Sequence, residues 1–249
     1  MAGFSLKDHL FNAESLRDFA DEMSTGIPGF DADAYHATTL AGFAERELLQ
    51  RLDWMADCLE PYLPADFNEM AARLEAALPP PLDLQHTDND FGRFIHAVPG
   101  ILAVRHGLEH HHDRALDLLY AATKRFSMEF YIRPFINRWP DLTLARLEDW
   151  AGDANYHVRR LVSEGTRPKL PWARKVDLTA AQTCRRGWWI QAWAAAGFWM
   201  WGVTLCHWCW IWPQWHLGKC LVPNRRILCL PVLNCARVRR EWTMRRKRN

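Results

Sequence analysis

The chain is 249 residues long with a formal net charge of +2, enough length for one large domain or two small ones with a sizeable core. Residues 1–177 hold 19 Lys+Arg against 28 Asp+Glu, a net of −9, which excludes a body that binds nucleic acid through its overall charge. Their one cysteine excludes a disulfide framework, and Lys7, Asp8 and His9 interrupt any apolar leader, so a cytosolic protein is expected.

The predicted elements begin at Ser5, which forms a capping-box pattern with Asp8. Behind it Leu6, Leu10, Ala13, Leu16, Phe19 and Met23 recur at helical spacing. A second stripe, Leu48, Leu52, Met55, Leu59 and Leu63, runs to Pro64. A third, Phe67, Met70, Leu74 and Leu78, stops at Pro79-Pro80-Pro81, with a connecting loop expected over 79–89. Further helices are predicted at about 90–103, 107–122, 127–137, 141–150 and 154–164. No useful period-two run is present, so an all-α fold is expected. Short helices joined by Pro, Gly and Asp turns predict stacked pairs, a HEAT-like α-solenoid. The clearest unit is Leu142–Gly165: Leu144, Leu147 and Trp150 line one helix, Gly152 to Asn155 make the turn, and Val158, Leu161 and Val162 line the next.

The composition breaks near Asp177. Residues 178–249 carry 12 Lys+Arg against Glu241 alone, a net of +11, with ten of the fourteen Trp and six of the seven Cys. Two domains follow: 1–177, the helical-repeat domain, and 178–249, a Trp/Cys/Arg-rich tail of non-native or disordered character. The uncharged run Trp188–Trp212 is long enough to cross a bilayer, but a spanning helix keeps Trp to its ends, whereas Trp193, Trp199, Trp201, Trp208 and Trp210 are spread through this one. Cys206 and Cys209 have metal-knuckle spacing with no second pair to match. Out-of-frame translation of a GC-rich gene accounts for the composition best, so no functional site is assigned there.

Phe126–Trp172 concentrates cations, carboxylates and aromatic rings. Arg133, Arg138, Arg159, Arg160 and Arg167, with Lys169 close by, would hold phosphates if they faced one groove. A solvated face paired with Glu148, Asp149 and Asp153 is the plainer alternative. Glu129 sits between Phe126 and Phe130, and Glu164 follows Arg160 by four residues; a carboxylate in a partly dry setting stabilises a developing cation or aligns a water. Taken alone, each fits a structural ion pair with Arg133 or Arg160 more plainly. Trp139, Trp150 and Trp172 offer flat faces for stacking. Trp150 lies in a helical stripe and is expected in the core, whereas Trp172, in a Pro-flanked turn, is expected to be exposed. His106 and His110 share a helix face, but the order HGLEH lacks the HExxH pattern and a third ligand, so a polar face and no metal are expected.

Taken as one string, EFYIRPFI followed by LEDWAGDANYHVRRLVSEGTRPKLPW resembles the AlkC-type branch of the AlkC/AlkD superfamily of bacterial DNA alkylation-repair glycosylases. The resemblance runs from the N-terminal helices to about Trp172 and is strongest over 126–172. It implies a HEAT-like solenoid whose concave face wraps duplex DNA, working as a monomer in the cytoplasm at the nucleoid. It also implies hydrolysis of the N-glycosidic bond of cationic bases such as 3-methyladenine and 3-methylcytosine, with no metal, nucleotide or other cofactor. By motif position Glu129 and Glu164 would be the catalytic carboxylates, Arg133, Arg160 and Arg167 would hold the backbone or shape the pocket, and Trp172 would flank it. Arg159 and Lys169 of the cation cluster are expected to bind DNA beside them. Family members continue past the LPW element into further repeats, where this chain enters its tail. A non-catalytic helical scaffold binding DNA or protein through the same groove is the alternative.

Overall fold

The computed structural model describes residues 5–83, 92–179 and 182, and the described residues up to Asp177 form one compact unit. The expected span 188–212, the Cys206/Cys209 pair and nearly all of 178–249 lie outside the described residues. No helix among the described residues is long and apolar enough to cross a membrane.

Ten α-helices and no strand are assigned among the described residues. The first expected helix is two, α1 (Leu6–Leu10) and α2 (Ala13–Gly26). Asn12 breaks them: its side chain accepts from Ser15 N at 2.9 Å while Ser15 Oγ accepts from Asn12 N at 3.1 Å, a capping box that restarts the helix. Ser5 makes no side-chain cap. α3 (Ala32–Ala41) was not anticipated: it is capped by Asp31, and only Tyr35 and Thr39 are buried, too few for a visible stripe. The second and third stripes become α4 (Leu48–Leu59), followed by a 3₁₀ turn over Glu60–Tyr62, and α5 (Phe67–Ala76), whose cap is Asp66.

The helix expected at 90–103 is shifted. A 3₁₀ turn covers Phe94–Ala97, and α6 (Val98–Gly107) starts where Pro99 occupies its first turn. Then come α7 (His112–Thr123), α8 (Glu129–Arg138), α9 (Pro140–Trp150) and α10 (Tyr156–Gly165), close to the expected bounds. Asn155 caps α10, accepting from His157 N at 2.8 Å.

The helices pack as neighbours along the chain: α2 on α3, α4 on α6, α5 and α6 on α7, then α8 against α9 and α10. The stripe residues Leu16, Phe19, Met23, Leu52, Met55, Leu59 and Leu74 are all buried, as are Leu144, Leu147, Val158 and Leu161. This is an all-α stack of helix pairs, the solenoid that the turn chemistry predicts. Its consequence for the site is that α8 and α10, separated in sequence by α9, pack against each other.

Candidate functional site

α8 opens at Glu129, and an acid in the first turn favours the positive end of the helix dipole. The carboxylate meets the Arg160 guanidinium of α10 at two points, Nη1–Oε2 3.1 Å and Nη2–Oε1 3.3 Å. Arg160 Nη1 also donates to Ser127 Oγ at 2.6 Å. The Glu129 and Arg160 side chains are only 14% and 17% exposed, so the pair is strengthened by partial desolvation. Together with Ser127 they line a cleft of about 540 Å³, walled by Phe94, Phe126, Phe130 and Tyr131. The Phe94 and Phe126 rings stand edge to face, centroids 4.9 Å apart. His9 and Leu10 of α1 close the cleft from the other side.

Glu164, one turn after Arg160, is 12% exposed and accepts from Arg167 Nη1 at 2.6 Å. It does not line the cleft. The following residue explains how near it comes. A Cβ at Gly165 would fall 2.5 Å from Ile132 Cγ2 and 3.9 Å from Glu129 Cα, so only glycine lets the end of α10 rest on the first turn of α8. The end of α10 that carries Glu164 therefore adjoins the first turn of α8, and each carboxylate is held by its own arginine.

The expected cation cluster divides. Arg133 is fully buried and donates to main-chain oxygens: to Arg174 through Nε, to Gly165 at 3.0 Å and Arg167 at 2.7 Å through Nη1, and to Pro168 at 3.2 Å through Nη2. Burial, and then the charge of Arg167, hold its pKa below the usual arginine value, and the Glu129 carboxylate offsets only part of this. Arg159, also buried, donates to the oxygens of Asp153 and Ala154 at 2.7 and 2.8 Å and so closes the α9–α10 turn. Both were expected among the phosphate-binding cations, and both donate to carbonyls inside the fold. Arg138 pairs with Glu109 and stacks on Trp139. Lys169 is exposed, and Trp172 is 81% exposed with a left-handed φ of 61°. Trp150 is buried against Tyr120, as its stripe predicts.

Sequence reasoning passed over Ser127, the cleft aromatics Phe94 and Tyr131, and Asn137. Ser127 carries no motif, and Phe94 reaches the cleft only through tertiary packing. Asn137 did leave a signal, because Glu129, Arg133 and Asn137 recur at four-residue steps on α8. In the histidine segment, His106 bonds Glu60 at 2.8 Å and His112 bonds Thr143 at 3.0 Å. Among the described residues no group of three or more His, Cys, Asp and Glu could hold a metal ion.

An all-α stack of paired helices, with a carboxylate–arginine pair in an aromatic-walled cleft, defines a helical-repeat protein. No family model matches the chain. It is 26% identical over 172 residues to the uncharacterized protein YhaZ of Bacillus subtilis (strain 168), covering 67% of this chain and 44% of YhaZ. Among solved structures it is similar to the alkylpurine DNA glycosylase AlkC of Pseudomonas fluorescens bound to DNA containing an abasic site analog. There the identity is 31% and the TM-score 0.58, over 70% of this chain and 46% of that one. The chain thus resembles the AlkC-type glycosylases in sequence and in fold, as the Phe126–Trp172 string implies, and it spans less than half the length of either relative.

Proposed function

We propose that residues 1–177 form the lesion-facing part of an alkylbase DNA glycosylase, which hydrolyses the bond between deoxyribose C1′ and the ring nitrogen of a cationic base such as 3-methyladenine or 3-methylcytosine in duplex DNA. The observation that carries this reading is the Glu129 carboxylate, gripped at two points by Arg160 in a half-dry aromatic cleft, in a chain that is similar to AlkC over 70% of its length. The electron pair of the breaking bond passes to the base and cancels its charge, so no acid is needed to expel it. C1′ becomes oxocarbenium-like, and water adds there while its proton leaves to a carboxylate or to solvent.

Glu129 supplies the negative charge facing that centre, and Ser127 and Arg160 hold it in orientation. Glu164, aligned by Arg167, is the second carboxylate at the junction and the one to position water. The exposed Lys169, Arg174 and Lys175 on the segment after α10 meet backbone phosphates, and Trp172 stacks on a base or flanks the lesion. Local cations on an acidic body suit a site that contacts DNA over a short stretch. The chemistry calls for no cofactor, and the protein works as a monomer at the nucleoid. Residues 178–249 take no part.

A scaffold reading is favoured by one observation: both carboxylates are already neutralised by arginines. The two readings separate on one assay with the full chain and methylated duplex DNA. The glycosylase releases free 3-methyladenine, and Glu129→Gln and Glu164→Gln lower that release while DNA is still bound. If the wild type binds the duplex and frees no base, the scaffold reading replaces this one.

A further inference from the structure

The polar stripe of α8 does more than present Glu129. Glu129, Arg133 and Asn137 lie on one face, and the second and third of them hold a strap, residues 166–177, that has no helix or strand of its own. Asn137 grips its far end: Nδ2 donates to Lys175 O at 2.9 Å, and Oδ1 accepts from Asp177 N at 3.2 Å. Arg133 grips its near end and middle, at the oxygens of Gly165, Arg167, Pro168 and Arg174. Within the strap the main-chain bonds are few: Arg167 N to Glu164 O, Ala173 N to Leu170 O and Val176 N to Pro168 O, each at 3.2 Å. Thr166 and Val176 are its buried residues.

The carbonyls that Arg133 binds are placed around the functional candidates. Gly165 directly follows Glu164, and Pro168 and Arg174 bracket Trp172, which stands exposed with a strained φ of 61°. Arg133 is four residues from Glu129 on the same helix. One buried guanidinium therefore joins the element that carries Glu129 to the segments that carry Glu164 and Trp172. Its planar fork suits diverging carbonyls, which a lysine ammonium meets as a point charge. The last carbonyls of α10 also favour a cation through the helix dipole. Main-chain oxygens accept the hydrogen bonds of Arg133, and the Glu129 carboxylate acts on its charge without a direct bond.

We infer that Arg133 is a positioning residue: it holds Glu164 and Trp172 in register with Glu129, without touching DNA itself. The inference rests on the reading of Glu129 and Glu164 as the reaction carboxylates. It differs from a general stabilising role in what it predicts for a folded variant.

The test uses the full chain carrying Arg133→Lys, below the melting temperature of both proteins. Tryptic cleavage after Arg174 and Lys175 speeds up by about 10-fold, while cleavage after Arg73 and Arg114 inside α5 and α7 stays at the wild-type rate. Single-turnover release of 3-methyladenine slows by roughly 10- to 100-fold, with the Kd for methylated duplex changed by far less, because a small displacement of a reacting group costs rate more than binding. If Arg133→Lys fails to fold, Asn137→Ala is the second variant. It removes only the far-end bonds and gives faster cleavage after Lys175 with a smaller loss of rate. An active wild type alongside variants whose strap cleavage and release rate are both unchanged overturns the positioning role. A wild type that frees no base overturns the reaction-centre reading on which it rests, a result distinct from the first.

Discussion

Two almost fully buried arginines, Arg51 on α4 and Arg133 on α8, perform the same physical task in two regions of the molecule, and their partners differ in one respect. Arg51 pins the α1 segment: it donates to the oxygens of Lys7 and Phe11 at 3.0 Å and of Phe43 at 3.1 Å, and it pairs with Asp8 at 2.7 Å. Arg133 pins the strap after α10 through carbonyls alone. The first tie includes a titratable acid and closes a segment whose His9 and Leu10 border the cleft. The second has no acid in it and holds a segment carrying Glu164's neighbour and Trp172. Irregular chain is fixed to the helical stack by a guanidinium in both places, and only the first fixing includes a direct ion pair with a carboxylate.

Removing the guanidinium groups is expected to have the largest effect. Arg133→Met leaves four carbonyls without their donor and is expected to cost about 3–5 kcal/mol in urea unfolding. Arg51→Met is expected to cost about 2–4 kcal/mol on the same grounds. Equal stability of either variant with the wild type would show that the ties hold nothing. A gentler probe is Trp172→Gly, which relieves the left-handed backbone and should raise stability by roughly 1 kcal/mol while weakening duplex binding by about 1–3 kcal/mol. Tighter binding or lower stability would argue against a strained, exposed contact.

The smallest effect concerns acid. The bonds from Ser5 and Arg51 hold the Asp8 pKa below its usual 3.8. A carboxyl lowered in the folded state contributes stability that is present above that value and is lost as pH falls through the lowered one. Hydrogen exchange at the Phe11 amide, bonded to Lys7 O, should therefore accelerate below about pH 3.8 before exchange at Val176 does. Asp8→Asn should bring the same selective loosening to neutral pH. Loosening of both segments together would erase the distinction between the ties.

Much of this architecture is legible in the sequence where apolar stripes and caps agree. The α9–α10 unit follows from Leu144, Leu147 and Trp150, then Asn155, then Val158, Leu161 and Val162, because each signal marks the same boundary. The break between α1 and α2 hides behind a stripe that continues through it at steps of three, since Asn12 and Ser15 act through hydrogen bonds rather than hydrophobicity. α3 buries too little to show a stripe. The candidate carboxylates stand out by type and neighbours, but the partners of the arginines do not. Arg133 and Arg159 have the sequence look of phosphate ligands and turn inward because the strap and the α9–α10 turn offer them carbonyls, which no side-chain pattern records. Ser127 and Phe94 come to one cleft only through tertiary packing, where the Phe94 ring meets Phe126.

The central claim is that Glu129 acts on a reacting sugar rather than serving only as the partner of Arg160. Single-turnover release of 3-methyladenine from methylated duplex, by the full chain and by Glu129→Gln, tests it most directly. The substitution keeps the shape and removes the charge, so the account predicts a loss of at least about 100-fold in rate with DNA affinity and melting temperature nearly unchanged. Release at the wild-type rate by Glu129→Gln would contradict it.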